Sequence, residues 1–124
     1  MRLLLDTHTL LWWLAGENLT GQARDAIADP ANLVMVSAAS AWEISVKKAL
    51  GKLTVPDDLD RQVQDGGFLP LPISIAHAVA AGRLARHHDD PFDRMLIAQA
   101  FAEGLTIATR DKRFGDYGVA LLPV

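Results

Sequence analysis

The sequence predicts an α/β fold with a central, mainly parallel sheet. Three observations carry it: short apolar runs that stop abruptly at a polar residue, longer stretches of helical periodicity between them, and the alternation of the two along the chain. Leu3-Leu4-Leu5 is the first run, ended by Asp6, and its unbroken apolar character marks a strand covered on both faces. Thr9 to Ala15 follows with a helical pattern, then Gly21 to Ala28 ahead of Pro30, with Thr20 as its N-cap. Leu33-Val34-Met35-Val36 is the second strand, ended by Ser37, and Ala38 to Leu50 the helix after it, closed by Gly51. Lys52 to Pro72 is the least regular stretch; Pro56, an acidic segment to Asp65 and Gly66-Gly67 divide it into a short helix, a turn and an edge strand. Ser74 caps a helix expected over Ile75 to His87. Asp90-Pro91 is a stronger start, since proline at the first helical position loses no needed hydrogen bond, and it opens a helix over Phe92 to Glu103 that stops at Gly104. Thr106-Ile107-Ala108 is a third strand and Val119 to Leu122 a fourth.

The chain has 124 residues, room for one core, and is expected to form a single domain over 1–124. Half its residues are hydrophobic and 22% charged, which excludes a disordered or low-complexity chain. The absence of cysteine removes disulfides, thiolate metal sites and thiol nucleophiles, leaving carboxylate and imidazole as metal ligands. Asp6 interrupts the start too early for a signal peptide, and no apolar run is long enough to span a bilayer, so a cytoplasmic protein is expected. The net charge of −3 argues at first sight against a nucleic-acid partner.

Ligands of an open parallel sheet bind at the carboxyl ends of its strands. Asp6 follows the first strand directly, and Asp111 lies just past the third. Glu43 interrupts the apolar face of its helix, and Asp93 heads the apolar stripe of Leu96, Ile97 and Ala100. A carboxylate on a buried face must be paired, protonated or metal-bound. Each acid also has a local reading: Asp6 as an N-cap, Glu43 paired with Lys47 four residues on, Asp93 set against the helix dipole, Asp111 in a turn, with Asp90 as a capping residue. What these readings do not explain is convergence. Four acids without cysteine point to a hard divalent cation, Mg2+ or Mn2+, which takes oxygen ligands and offsets their repulsion. Such a site suits phosphodiester hydrolysis.

The chain resembles the PIN-domain nucleases and, among them, the VapC-type toxins of toxin–antitoxin pairs. The matching segments are Leu3-Leu4-Leu5-Asp6-Thr7-His8-Thr9-Leu10-Leu11-Trp12, Ser37-Ala38-Ala39-Ser40-Ala41-Trp42-Glu43-Ile44, Asp90-Pro91-Phe92-Asp93-Arg94-Met95-Leu96-Ile97-Ala98-Gln99-Ala100 and Thr109-Arg110-Asp111-Lys112-Arg113-Phe114. The resemblance implies an α/β/α domain, Mg2+-dependent endoribonuclease activity, an RNA substrate and a cognate antitoxin protein. Position by position, Asp6, Glu43, Asp93 and Asp111 match the metal-binding acidic quartet, with Asp6 and Asp93 as direct ligands and Glu43 and Asp111 binding through water or holding a second ion. Thr109 matches the family's hydroxyl residue near the site. His8 stands where many members have asparagine, and Asp116 is a further acid that can share the role of Asp111.

His8 is a candidate for proton transfer, whereas His77, His87 and His88 read as surface or capping residues. Arg94 is placed to stabilise phosphoryl charge, and Lys47, Lys48, Arg110, Lys112 and Arg113 either hold an RNA backbone or balance neighbouring acids. Trp12, Trp13 and Trp42 read as core or dimer-interface residues, and a homodimer is expected. Two rival readings remain: a phosphatase with Asp6 as nucleophile, and a non-catalytic module that binds metal or antitoxin. Setting the four acids aside leaves the rest of the chain at +1, which permits RNA binding.

Overall fold

Sequence order and spatial order part company at once: the five strands lie in the order β3-β2-β1-β4-β5, and every neighbouring pair is parallel. The computed structural model describes all residues, 1–124. The elements run β1 (Arg2–Leu5), α1 (Thr7–Ala15), α2 (Gly21–Ala28), β2 (Leu33–Ser37), α3 (Ala38–Ala49), α4 (Leu59–Asp65) and β3 (Leu69–Leu71). Then come α5 (Ile75–Arg83), α6 (Pro91–Glu103), β4 (Thr106–Thr109), a 3-10 helix (Lys112–Tyr117) and β5 (Leu121–Pro123). The predicted α/β class and the edge strand after the irregular stretch are both present.

Side chains alternate across a strand, so β1 feeds two cores. Leu3 and Leu5 pack with Leu10, Ile27, Ile44 and Phe68 on one face of the sheet. Leu4 packs with Leu96, Ile97, Ile107 and Phe114 on the other. All three β1 leucines are fully buried, which is why the strand reads as a continuous apolar run. Helices thus cover both faces, giving the α/β/α layering.

Strand-to-helix connections at the carboxyl edge are abrupt. Asp6 donates its backbone N–H to Ala108 O at 3.1 Å, extending the ladder beyond β1, and caps α1 in the same residue, accepting from Thr9 N at 2.8 Å. The helix accordingly begins at Thr7. Ser37 ends β2 and caps α3 through Ala39 N at 3.0 Å.

Two further boundaries differ from expectation. Helix α5 stops at Arg83, so His87 and His88 lie in the loop before α6 rather than on a helix. The cause is tertiary. The Arg94 guanidinium donates to Ala81 O and Leu84 O at 2.9 Å, Ala85 O at 3.0 Å and His88 O at 3.2 Å, capturing carbonyls that a longer helix would use itself. The last strand is Leu121–Pro123 rather than Val119 to Leu122, and Val119 packs in the second core just ahead of it.

Candidate metal centre

The carboxyl edge of the sheet gathers the acids. Asp6 is 5% exposed, and besides its capping bond its Oδ2 accepts from Thr109 Oγ1 at 2.5 Å. Thr109 ends β4, the strand beside β1, and its hydroxyl also accepts the Asp111 N–H at 3.0 Å. One hydroxyl therefore ties the loop that carries Asp111 to Asp6. Glu43, 3% exposed on the inner face of α3, accepts from Thr7 Oγ1 at 2.7 Å and from Lys47 Nζ at 2.5 Å. The pairing with Lys47 is real, but it belongs to a buried carboxylate rather than to a solvated helix face.

Asp93 is the most perturbed group. Burial, then the charges of Asp90, Glu43, Asp6 and Asp111, push its carboxyl from 3.8 up to about 7. Every other member of the quartet contributes to that upward shift of Asp93. Asp90 holds the capping role expected of it, accepting from Phe92 N at 2.8 Å and Asp93 N at 3.1 Å, and adds a fifth negative charge. Asp111 is held below the usual carboxylate range chiefly by hydrogen bonding from the Arg113 side chain, whose Nη2 lies 2.7 Å away. Lys47 is held above its ordinary value, first by its bond to Glu43 and then by the charges of Glu43, Asp90 and Asp93.

Other expected participants lie elsewhere. Arg94 spends its guanidinium on the four carbonyls that close α5; it is a staple of the loop, a correction to the phosphoryl role anticipated for it. His8 is exposed on α1 and contacts the Trp12 ring at 5.8 Å, not the acids. Asp116 is exposed in the 3-10 helix and makes no hydrogen bond, whereas Asp111 caps that helix through Arg113 N at 2.9 Å. Among the cations, Arg113 balances Asp111, Lys48 pairs with Asp57, and Arg110 donates to Val124 O at 2.8 Å with its guanidinium 4.2 Å from the Trp12 ring centre. Lys112 stays exposed. Trp12 and Trp13 pack on the first core, but Trp42 is 62% exposed and meets Phe92 edge-on at 5.2 Å.

His88 was missed by its expected surface or capping role. Its ring is buried, and Nε2 lies 2.8 Å from Asp93 Oδ2 and 3.6 Å from Asp111 Oδ2. His88, Asp93 and Asp111 each bring a potential ligand atom within 4.8 Å of the others. A helix read through to His87 concealed this placement. His77 does cap, closing a capping box with Ser74, and His87 is exposed.

The donor set fits a hard divalent cation. Four carboxylates offer only oxygen, and the Asp93 carboxyl, raised first by burial and then by the neighbouring acids, is one whose charged form a cation would favour. A cavity of about 910 Å³ between α3, α4 and β3 contains none of the four acids; it is lined by Ala41, Val63, Phe68 and Leu71 among others.

Comparison with known proteins bears on the family and the fold. Among curated proteins, Ribonuclease VapC22 of Mycobacterium tuberculosis is 28% identical over 121 residues, covering 92% of this chain and 90% of that one. Ribonuclease VapC16 of the same organism is 38% identical over 60 residues, 45% of this chain and 43% of that one. Among solved structures, VapBC2 from Rickettsia felis, bound to a DNA fragment from its promoter, superposes with a TM-score of 0.74 at 14% identity, covering 100% of this chain and 99% of that one. VapBC from Salmonella typhimurium, bound to DNA, gives 0.71 at 19% identity over 99% and 98%. At these identities the superpositions speak for the fold. The family model for the PIN domain matches residues 3–120, a span that runs from β1 through β4 and holds all four acids. The chain belongs to the PIN domain family.

Proposed function

We propose that the chain is a Mg2+- or Mn2+-dependent endoribonuclease and the toxin of a toxin–antitoxin pair. The observation that carries the reading is the Asp93 carboxyl, driven to about 7 by burial and by four other acids at the carboxyl edge of the sheet. Buried like charges persist where a cation is their partner. The ribonuclease names of the two mycobacterial relatives favour RNA, and the VapBC structures favour an antitoxin partner.

Asp6 and Asp93 hold the cation, with Glu43 and Asp111 completing the oxygen set. When bound, the ion supplies Lewis acidity at the phosphoryl oxygens and lowers the pKa of an attacking water. The chain itself supplies orientation. Thr109 fixes one oxygen of Asp6, and Thr9 N the other. Thr7 and Lys47 fix Glu43, and Lys47 places an ammonium beside the acids where phosphate charge can be met. His8 and Asp116, both exposed, are outer contacts to substrate at most.

The phosphatase reading is disfavoured because Asp6 is buried and both its oxygens already accept hydrogen bonds, a poor state for a nucleophile. The fold has no helix long and apolar enough to cross a membrane, and we place the protein in the cytoplasm with its RNA. Trp12 and Trp13 are half-buried on the core, so the dimer surface expected of them shifts to Ile75, Val79 and Phe101, exposed on α5 and α6.

The test is cleavage of transfer, ribosomal and messenger RNA by purified protein with Mg2+, Mn2+ or EDTA, beside Asp6→Asn and Asp93→Asn. Metal-dependent cleavage lost in both variants is expected. Cleavage in EDTA, or full activity in Asp93→Asn, refutes the mechanism, and a binding module without catalysis would leave every RNA intact.

A further inference from the structure

We propose that His88 is a positioning residue that stays outside the cation's coordination sphere, its Nε2–H directed between Asp93 and Asp111 so as to hold both carboxylates for the ion. The inference rests on the reading of the four acids as a cation site. By proximity alone, His88, Asp93 and Asp111 form a mixed nitrogen and oxygen site. The tautomer argues otherwise. Asp90 N donates to His88 Nδ1 at 3.2 Å, and a backbone amide has only a proton to give, so Nδ1 carries the lone pair. The ring proton is therefore on Nε2, the atom that faces the acids at 2.8 Å and 3.6 Å. A protonated nitrogen cannot be a metal ligand.

The ring's surroundings hold that orientation. Its side chain is 2% exposed and stands edge-on to Phe114 at 6.0 Å. Its backbone N–H goes to Tyr117 OH at 2.9 Å, and its carbonyl accepts from Arg94 at 3.2 Å. Nε2 has no hydrogen-bond partner of its own although carboxylate oxygens of Asp93 and Asp111 lie 2.8 Å and 3.6 Å away. A buried N–H left in that state is costly unless both acids turn an oxygen toward it. With Asp93 Oδ2 facing the ring, Oδ1 is left without a protein partner. The ring thus keeps the donor set all-oxygen, which favours Mg2+ and Mn2+ over ions that seek imidazole.

Two readouts independent of RNA cleavage test this. Long-range proton–nitrogen NMR correlation of histidine-labelled protein is expected to show His88 protonated at Nε2, both metal-free and saturated with Mg2+. Titration with Mn2+ followed by electron paramagnetic resonance is expected to show His88→Ala weakened by about 10–100-fold. His88→Gln, whose amide places a donor near Nε2, should recover most of that loss. Loss of the Nε2 proton on adding Mg2+ overturns the inference, as does wild-type affinity in His88→Ala or affinity in His88→Gln no better than in His88→Ala. If His88→Ala fails to fold, wild-type affinity in His88→Gln with an Nε2–H signal in the native protein supports the inference, and an affinity loss of about 10-fold or more in His88→Gln overturns it. A native protein that binds no Mn2+ fails the cation reading itself, and the inference falls with it; an unprotonated Nε2 in a protein that does bind Mn2+ fails the inference alone.

Discussion

Neutralising Asp93 should stabilise the metal-free protein in alkali and deprive it of metal-induced stability. Its carboxyl sits at 3.8 in the unfolded chain and about 7 in the fold. The folded state therefore binds the proton more tightly, and stability falls as pH rises through the window between those values. Each unit is worth about 1.4 kcal/mol, so the full difference is roughly 4 kcal/mol above pH 7. Between about pH 5 and pH 8 the folded carboxyl loses its proton while the unfolded one is already ionised, and this part of the loss comes to roughly 2–3 kcal/mol, or about 10 °C in the midpoint for a chain of this size. Thermal denaturation in EDTA across that range, for the native chain and Asp93→Asn, reads it directly. The native chain should lose stability with rising pH and the variant should lose much less, ending the more stable of the two at the alkaline end. Saturating Mn2+ should restore the native chain at high pH by mass action, about 2.7 kcal/mol at a hundredfold excess over Kd, and leave the variant unmoved. Parallel pH profiles for the two proteins would refute the crowding of charge around Asp93.

Three further outcomes follow from particular contacts. Thr109→Val removes the donor to Asp6 and the acceptor for Asp111 N at constant shape; urea unfolding should show a loss of about 1–3 kcal/mol, and Mn2+ titration a weakening of about 10-fold or more. Arg94→Ala removes the guanidinium bonds to four carbonyls, leaving Leu84 O without a partner, and should lower stability by about 2–3 kcal/mol in urea, with faster amide exchange in residues 84–90 than in β1. Ile75→Glu, at the first position of α5 where an acid suits the helix dipole, should leave the fold intact and yield monomers in sedimentation velocity if α5 and α6 form the dimer face.

The legible part of the site is the part that local rules decide. An apolar run that stops at Asp6 must leave that acid at a strand end, and an acid among the buried positions of α3 must be partnered; both statements need only periodicity. The Asp90-Pro91 signal likewise located the start of α6, and through it Asp93. What escaped depends on contacts across the chain. Helical periodicity continues past Arg83, and the end of α5 there is set by contacts from outside it, the Arg94 guanidinium from the next helix and the Tyr117 hydroxyl. That same staple sets the loop in which His88 turns inward, so misplacing the helix end also misplaced the histidine. The roles of Arg94 and His88 are thus coupled, and pattern reading assigned both to the wrong class for one reason. Trp42, read as a core or dimer-interface residue, is not core: α3 turns Glu43 and Ile44 inward and leaves the indole out against Phe92.

The central claim is that the acids at the carboxyl edge of the sheet form one cation site. An equilibrium Mn2+ titration of the native protein and Asp6→Asn, at about pH 8 and with circular dichroism confirming that both are folded, tests it most directly. Saturable binding in the native protein, weakened by about 10-fold or more in Asp6→Asn, is the predicted result. Equal binding by the two folded proteins, or no saturable binding by either, would contradict it.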